Sequence, residues 1–171
     1  VKKVRLTVKK KSCLAPALTL LLLLPSLCWA WSGKVVGVTD GDTITVLHAG
    51  REERISLYGI DCPEKRQAFG SKAKRATSAL TLGKVAKVEP VDVDRYGRTA
   101  ALVRVGDTLV NEELIRQGLA WVYNRYCDRP VCGKWRQLEA EAWAARRGLW
   151  SMPNPVAPWE FRRANRQGPN R

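Results

Sequence analysis

The stretch DGDTITVLHAGREERISLYGIDCPE, residues 40–64, decides how this chain is read. Thr43-Ile44-Thr45-Val46-Leu47 alternates polar and apolar side chains, the pattern of a half-buried strand. Arg54 to Ile60 places Ile55, Leu57, Tyr58 and Ile60 in a second segment of strand character, and His48-Ala49-Gly50-Arg51 between them has turn chemistry. Paired as antiparallel neighbours, the start of the first segment lies beside the end of the second. Asp42 and Asp61 then point into one small volume. Two carboxylates held together repel unless a cation lies between them. With only oxygen donors in sight, a hard ion such as Ca²⁺ is expected. Taken singly, Asp-Gly-Asp-Thr is a solvated turn and Asp-Cys-Pro a loop. Together, flanking paired strands and followed by Glu64, they make one acidic locus.

Upstream, residues 1–12 carry Lys2, Lys3, Arg5, Lys9, Lys10 and Lys11 and no acid. Leu14 to Leu24 is apolar apart from Thr19, Pro25 breaks the run, and Cys28-Trp29-Ala30 sets small residues at the −3 and −1 positions. That layout predicts a signal peptide over residues 1–30, cut after Ala30 and sending the chain to the periplasm or beyond the cell. The apolar run is well short of the roughly 20 residues needed to span a bilayer, an uncleaved anchor being the alternative. No stable membrane association is expected after cleavage. The remaining 141 residues of the 171 suit a single domain. The leader holds six of the thirty basic residues and none of the sixteen acidic ones, which leaves a formal charge of +8. Such an excess attracts polyanions, although a generic basic surface would show the same charge. Cys127 and Cys132, five apart in a loop-like segment of an exported chain, are expected to form a local disulfide. Cys62, beside Asp61 and Glu64, is expected to be a protonated packing residue.

Gly33 to Thr39 has the pattern of a first strand, with Val36 and Val38 on one face. Gln67 to Leu82 is predicted helical from Phe69, Ala73, Ala76 and Leu80, with Gly83 ending the run. Lys84 to Val93 resumes strand character, although Pro90 implies an edge or a bulge. Asp94-Arg95-Tyr96-Gly97 is a turn, and Arg98 opens another strand through Val105. Asn111 is placed to cap a short helix ending near Gly118, followed by the apolar piece Leu119–Tyr123. A last helix, about Lys134 to Arg147, sets Trp135, Leu138, Ala142 and Trp143 on its inner face, and Gly148-Leu149-Trp150 closes a domain over residues 31–151. Residues 152–171, with Pro153, Pro155, Pro158 and several Arg, are expected to be a flexible basic tail. Five short strands interrupted by helices favour a small closed β-barrel with helices packed on it.

Four blocks give the chain a family likeness. They are Asp40-Gly41-Asp42-Thr43, Gly59-Ile60-Asp61-Cys62-Pro63-Glu64, Asp94-Arg95-Tyr96-Gly97-Arg98, and Val110-Asn111-Glu112 running on to Arg116-Gln117-Gly118-Leu119-Ala120. In this order they make the chain, over most of Gly33–Ser151, resemble the staphylococcal nuclease (thermonuclease) family. The resemblance implies an α+β fold, a five-stranded OB-fold barrel with about three helices. It further implies a Ca²⁺-dependent, monomeric nuclease that cuts DNA and RNA with little sequence preference and leaves 3′-phosphate ends.

On that resemblance Asp42, Asp61 and the Cys62 backbone carbonyl bind Ca²⁺, with Asp40 behind them or acting through water. Glu64 orients or deprotonates the attacking water. Arg98 grips the scissile phosphate, a task that suits a planar fork charged at any working pH. Tyr96 contacts base or sugar, Arg95 stands where a Lys near a terminal phosphate is common, and either Tyr123 or Tyr126 supplies a stacking face. One departure stands out. The family's second catalytic Arg falls on Ser56, and Arg54 lies two residues earlier on the same strand face, nearly 7 Å away. A bulge would let Arg54 compensate; otherwise the chain is a slow enzyme or a domain that binds nucleic acid without cutting it. His48 has no partner in view.

Overall fold

The computed structural model describes residues 29–94 and 96–167; the expectations for the leader up to Cys28 and for Arg95 lie outside the described residues. Five strands carry the architecture: β1 (Trp31–Val38), β2 (Thr43–His48), β3 (Arg51–Leu57), β5 (Val85–Val93) and β6 (Thr99–Val105). They pair in the order β3-β2-β1-β5-β6. A parallel contact between β3 and β6, from Ile55↔Thr99 to Leu57↔Ala101, closes the sheet into a barrel. Closure leaves no long unpaired strand edge. The short β7 (Thr108–Leu109) extends β6, while β4 (Ile60–Asp61) pairs separately with β8 (Trp121–Val122). This is the expected OB-fold barrel of α+β class.

Alternation fills the barrel. Ile44 and Val46 from β2, Ile55 from β3, Val88 from β5 and Val103 from β6 are wholly buried. In β1 the pattern shifts: Val35 is in the core and Val36 is exposed. The pairing Val35↔Val46 then Gly37↔Thr45 skips Val36, so a bulge shifts the alternation and sets Val38, opposite buried Ile44, against the core while Val36 stays outside. The expected face shared by Val36 and Val38 is corrected accordingly. Pro90 does mark a bulge, between Pro90 and Asp92, on a strand paired on both sides rather than at an edge.

Four helices pack outside the barrel: α1 (Gly70–Thr81), α2 (Val110–Arg116), α3 (Val131–Ala144) and α4 (Pro158–Gln167). Helix α1 buries Gly70, Ala73, Thr77 and Thr81, leaving Ala76 and Leu80 at the margin of the core. Helix α3 buries Cys132, Trp135, Leu138 and Ala142. Trp143 is 64% exposed, against expectation, because it follows Ala142 by about 100° around the helix. Cys127 and Cys132 are joined in a disulfide with Cα atoms 5.7 Å apart. The Tyr58 hydroxyl ties that loop down, donating to Asp128 Oδ1 (2.6 Å) and accepting from the Asp128 N–H (3.0 Å).

Two further expectations are corrected. Asn111 is no helix cap: it sits inside α2, fully buried, accepting from the Val103 N–H (3.0 Å) and donating to the carbonyls of Tyr58 (3.0 Å) and Ala101 (3.2 Å). It ties α2 to β6 and to the end of β3. The segment expected to be a flexible tail from residue 152 instead carries α4, and Ala157 ahead of it is buried. Pro158 opens the helix with its φ already suited to the first position. Tertiary contacts that no local pattern reveals then hold it: Trp159 stacks on Tyr123 at 4.9 Å and 6° and meets Trp121 edge-on at 5.7 Å.

Asn111→Ala removes the partner of the buried Val103 N–H and Tyr58 carbonyl, while the Ala101 carbonyl keeps the Tyr58 N–H, so it is expected to lower stability by about 2–4 kcal/mol. Urea unfolding reads this as a fall in midpoint at unchanged slope; a loss below about 0.5 kcal/mol would mean the bridge is not structural.

Candidate functional site

The start of β2, the end of β3 and the start of β6 meet at one end of the barrel, because Thr43 pairs with Ser56 and Ser56 with Ala100. The Leu57 N–H donates to the Asp42 carbonyl (2.8 Å) and continues that junction. Gly59, at φ 71°, then turns the chain out of β3, so Ile60 and Asp61 form their own small ladder with β8. The strand expected to run on to Ile60 therefore stops at Leu57, and it is the turn that aims Asp61 back toward Asp42. The Cys62 N–H donates to Asp42 Oδ2 (2.8 Å), locking the two acidic segments together. Gly41 allows this approach, since a Cβ there would lie 2.6 Å from Cys62 Cβ and 2.8 Å from Ala73 Cβ. Thr77 on α1 fixes the same turn by donating to the Gly41 carbonyl (2.5 Å).

A cavity of about 350 Å³ opens at this end. Asp40, Asp42, Asp61 and Glu64 line it together with Ser56, Arg98, Tyr96, Tyr123, Tyr126 and Arg162. Arg98 is held from two sides. Its Nε donates to Asp94 Oδ2 (2.6 Å), and one terminal nitrogen donates to the Thr43 hydroxyl (3.1 Å). That hydroxyl donates in turn to Asp42 Oδ1 (3.1 Å), so one proton-carrying oxygen links the arginine to the acidic cluster. Burial works to raise the Asp94 carboxyl, but the N–H groups and guanidinium of Arg98 and the Tyr96 N–H outweigh it and hold the group below its ordinary range.

The acids show the opposite strain. Burial first, then the charges of Asp40 and Asp61, pushes the Asp42 carboxyl well above its ordinary value. Asp61, 5% exposed, is also pushed up by burial, although Arg162 opposes the shift. The Cys62 thiol, buried and facing Asp42, Asp61 and Asp40, is raised well above its usual range and is not a nucleophile. Its backbone N–H is the group bonded to Asp42. Asp40 Oδ1 is buried with no hydrogen-bond partner among the described residues. Six carboxylates and two guanidinia line the cavity among the described residues, so it holds an anion only if a further cation joins them.

A hard divalent ion fits this donor set: all the side-chain donors are carboxylate oxygens, two are crowded enough to resist ionisation, and one oxygen is orphaned. No group of three such donors is already drawn together for an ion among the described residues. Asp61 and Glu64 are instead occupied by Arg162, which no local sequence pattern assigned to the site. One terminal nitrogen of Arg162 reaches Asp61 Oδ1 (3.0 Å) and Glu64 Oε1 (2.7 Å), and the other reaches Asp61 Oδ2 (2.6 Å). The available signal was modest, a Pro at a helix start followed by Trp159 and Arg162 at a spacing of three.

The remaining expected residues divide. Tyr123 and Tyr126 meet edge-on at 4.9 Å, and both line the cavity, Tyr123 with Trp159 on one face. Tyr96, 63% exposed, lies at the rim with the Arg98 guanidinium 5.5 Å from its ring. Arg54 is exposed and is not among the residues lining the cavity, whereas Ser56 is. His48 stacks on Trp31 at 4.1 Å on the far part of β2.

Comparison with known proteins gives the chain its relatives. The family described as Staphylococcal nuclease homologue matches residues 54–152. The chain is 39% identical over 166 residues to a micrococcal nuclease of Shigella flexneri, covering 91% of this chain and 94% of that protein. It is 42% identical over 139 residues to an uncharacterized endonuclease of Escherichia coli O157:H7, covering 81% and 89%. A protein ParB of Escherichia coli is 41% identical over 159 residues, covering 87% and 89%.

Asp42→Asn removes one charge from the crowded cluster, so it is expected to raise the melting temperature in chelator by several degrees, about 1–2 kcal/mol. Millimolar Ca²⁺ should raise the melting temperature of the unaltered protein and leave the variant nearly unmoved. Calorimetric scans of both proteins with and without Ca²⁺ check this; an equal Ca²⁺ response in the two would place the ion elsewhere.

Proposed function

The chain belongs to the staphylococcal nuclease homologue family, and from that premise we propose that it is a Ca²⁺-dependent nuclease. It hydrolyses phosphodiester bonds of DNA and RNA with little sequence preference and leaves 3′-phosphate ends. The observation that carries this reading is the joining of Asp42 to Arg98 through the Thr43 hydroxyl, in a cavity that Asp40, Asp61 and Glu64 also line.

Each part of the reaction then has a group to serve it. Arg98, its Nε fixed on Asp94, presents its remaining donors to the phosphate and stabilises charge near the leaving oxygen. Glu64, at the cavity wall, orients the attacking water and accepts its proton. Asp42, Asp61 and the Cys62 carbonyl would hold Ca²⁺, with Asp40 behind them; the bound ion supplies charge neutralisation and polarises a phosphoryl oxygen. Tyr96, Tyr123 and Tyr126 offer ring faces to bases or sugars, and stacking and phosphate contacts read little base identity. Hence the weak sequence preference.

We place the protein in the periplasm or outside the cell, acting as a monomer without stable membrane association. The Cys127–Cys132 disulfide supports an oxidising compartment. A second reading, a domain that binds nucleic acid without cutting it, draws on Ser56 and on the exposed position of Arg54.

Digestion of denatured DNA separates the two. Cutting is expected with Ca²⁺, none with chelator, and loss with Glu64→Gln while the melting temperature holds. Arg98→Ala is expected to slow turnover by a factor of about 10²–10³. End-labelling before and after phosphatase treatment reads the product ends. Tight binding with no cleavage by the unaltered protein would establish the second reading.

A further inference from the structure

Arg162 comes from a helix about a hundred residues away from the acids it touches, and it is not loosely placed. Its side chain is 29% exposed. The helix that carries it is anchored twice ahead of that residue. Trp159 lies flat on Tyr123, and the Gln67 side-chain amide donates to the Val156 carbonyl (2.5 Å) just before the helix. Anchoring of this kind presents a group in a set geometry without the entropy loss of ordering a free tail. Among the described residues lining the cavity, Arg98 and Arg162 are the two cations, and the uncharged Ser56 stands in the same wall.

The partners of Arg162 are also the groups with other work. It engages both oxygens of Asp61, and the same oxygens are those offered to a divalent ion. Both cations cannot own Asp61 at once. When the ion takes it, Arg162 keeps at most Glu64 and faces a cavity whose entering ligand is a phosphate. A partly buried guanidinium that has lost one carboxylate is stabilised by another doubly accepting anion, and a phosphodiester offers two oxygens to its fork. We propose that Arg162 is a substrate-binding catalytic residue of this site: it stands on Asp61 until a divalent ion displaces it, then turns to the scissile phosphate as a second arginine beside Arg98. This rests on the nuclease reading above. It makes the C-terminal helix part of the active site, and it makes loading of the ion the event that frees an arginine for the substrate.

The test uses the purified protein and its Arg162→Ala and Arg162→Lys variants. Calorimetric titration with Ca²⁺ alone, without nucleic acid, is expected to show Arg162→Ala binding about tenfold more tightly, because the competing cation is gone. Turnover on single-stranded DNA at saturating Ca²⁺ is expected to fall about 10²-fold in the same variant. Arg162→Lys should fall between, and millimolar guanidinium should restore part of the rate to Arg162→Ala alone, an effect that a purely structural role would not produce. Circular dichroism and melting check the fold; if the alanine variant fails to fold, the lysine variant carries the comparison. Unchanged or weaker Ca²⁺ affinity would remove Arg162 from the ion's place. Equal or faster turnover would make it a plug and overturn the catalytic role. If the unaltered protein cuts nothing with any divalent ion, the nuclease reading itself falls and this inference with it. If it cuts and Arg162→Ala cuts as fast, only this inference falls.

Discussion

The structure depends on crowding carboxylates at one end of a small barrel. Asp42 and Asp61 belong to different segments, yet the Cys62 N–H donates to Asp42 and both side chains open on the same cavity. Burial first, then the charges of neighbouring carboxylates, raises both groups above their ordinary range, so the fold holds them at a cost. Three features offset that cost: a backbone N–H and a threonine hydroxyl on Asp42, and a bidentate guanidinium on Asp61. Sites that carry such strain tend to gain stability when altered and lose function with it.

Holding those charges in place requires a rigid frame, and the barrel supplies it through closure. The parallel β3–β6 pairing fixes where β6 begins, and with it where Arg98 stands relative to Thr43. Asn111 secures the same corner from inside by joining α2 to Val103, Ala101 and Tyr58. Beyond Leu57 the chain leaves the barrel at Gly59, whose positive φ suits a residue without a Cβ. The acidic loop is then pinned by α1 through Thr77 and by the close packing of Gly41 on Cys62. The site is therefore assembled from strand ends and turns on a scaffold with little freedom, as precise positioning of charge demands.

The last helix changes the picture of what the domain is. A barrel with three helices leaves Tyr123 and the acidic pair open on one side. Helix α4 covers that side with Trp159 and sets Arg162 into the acids. Aromatic stacking docks this helix, and the charged fork of Arg162 thereby enters the cavity wall.

Much of this was legible in the linear chain. Alternation marked β2, since Ile44 and Val46 face the core on either side of Thr45, and turn residues marked the junctions. Acids flanking paired segments pointed to Asp42 and Asp61, whereas Arg98 was singled out only by the family likeness. The failures came where a residue's environment is set by something distant in sequence. Val36 and Val38 take different faces because a bulge breaks the period, Asn111 is a bridge because β3 and β6 surround it, and Trp143 lies outside because α3 meets the core along a narrow stripe. Local pattern reports periodicity and turn preference, so by itself the sequence determined the strands, the barrel class and the acidic residues. Only the tertiary structure decided that Arg54 stays outside, that Ser56 lines the cavity and that Arg162 enters it. The reach of a guanidinium across about a hundred residues is a property of packing, because neither Trp159 nor Arg162 carries any sign of its partner until the helix is docked.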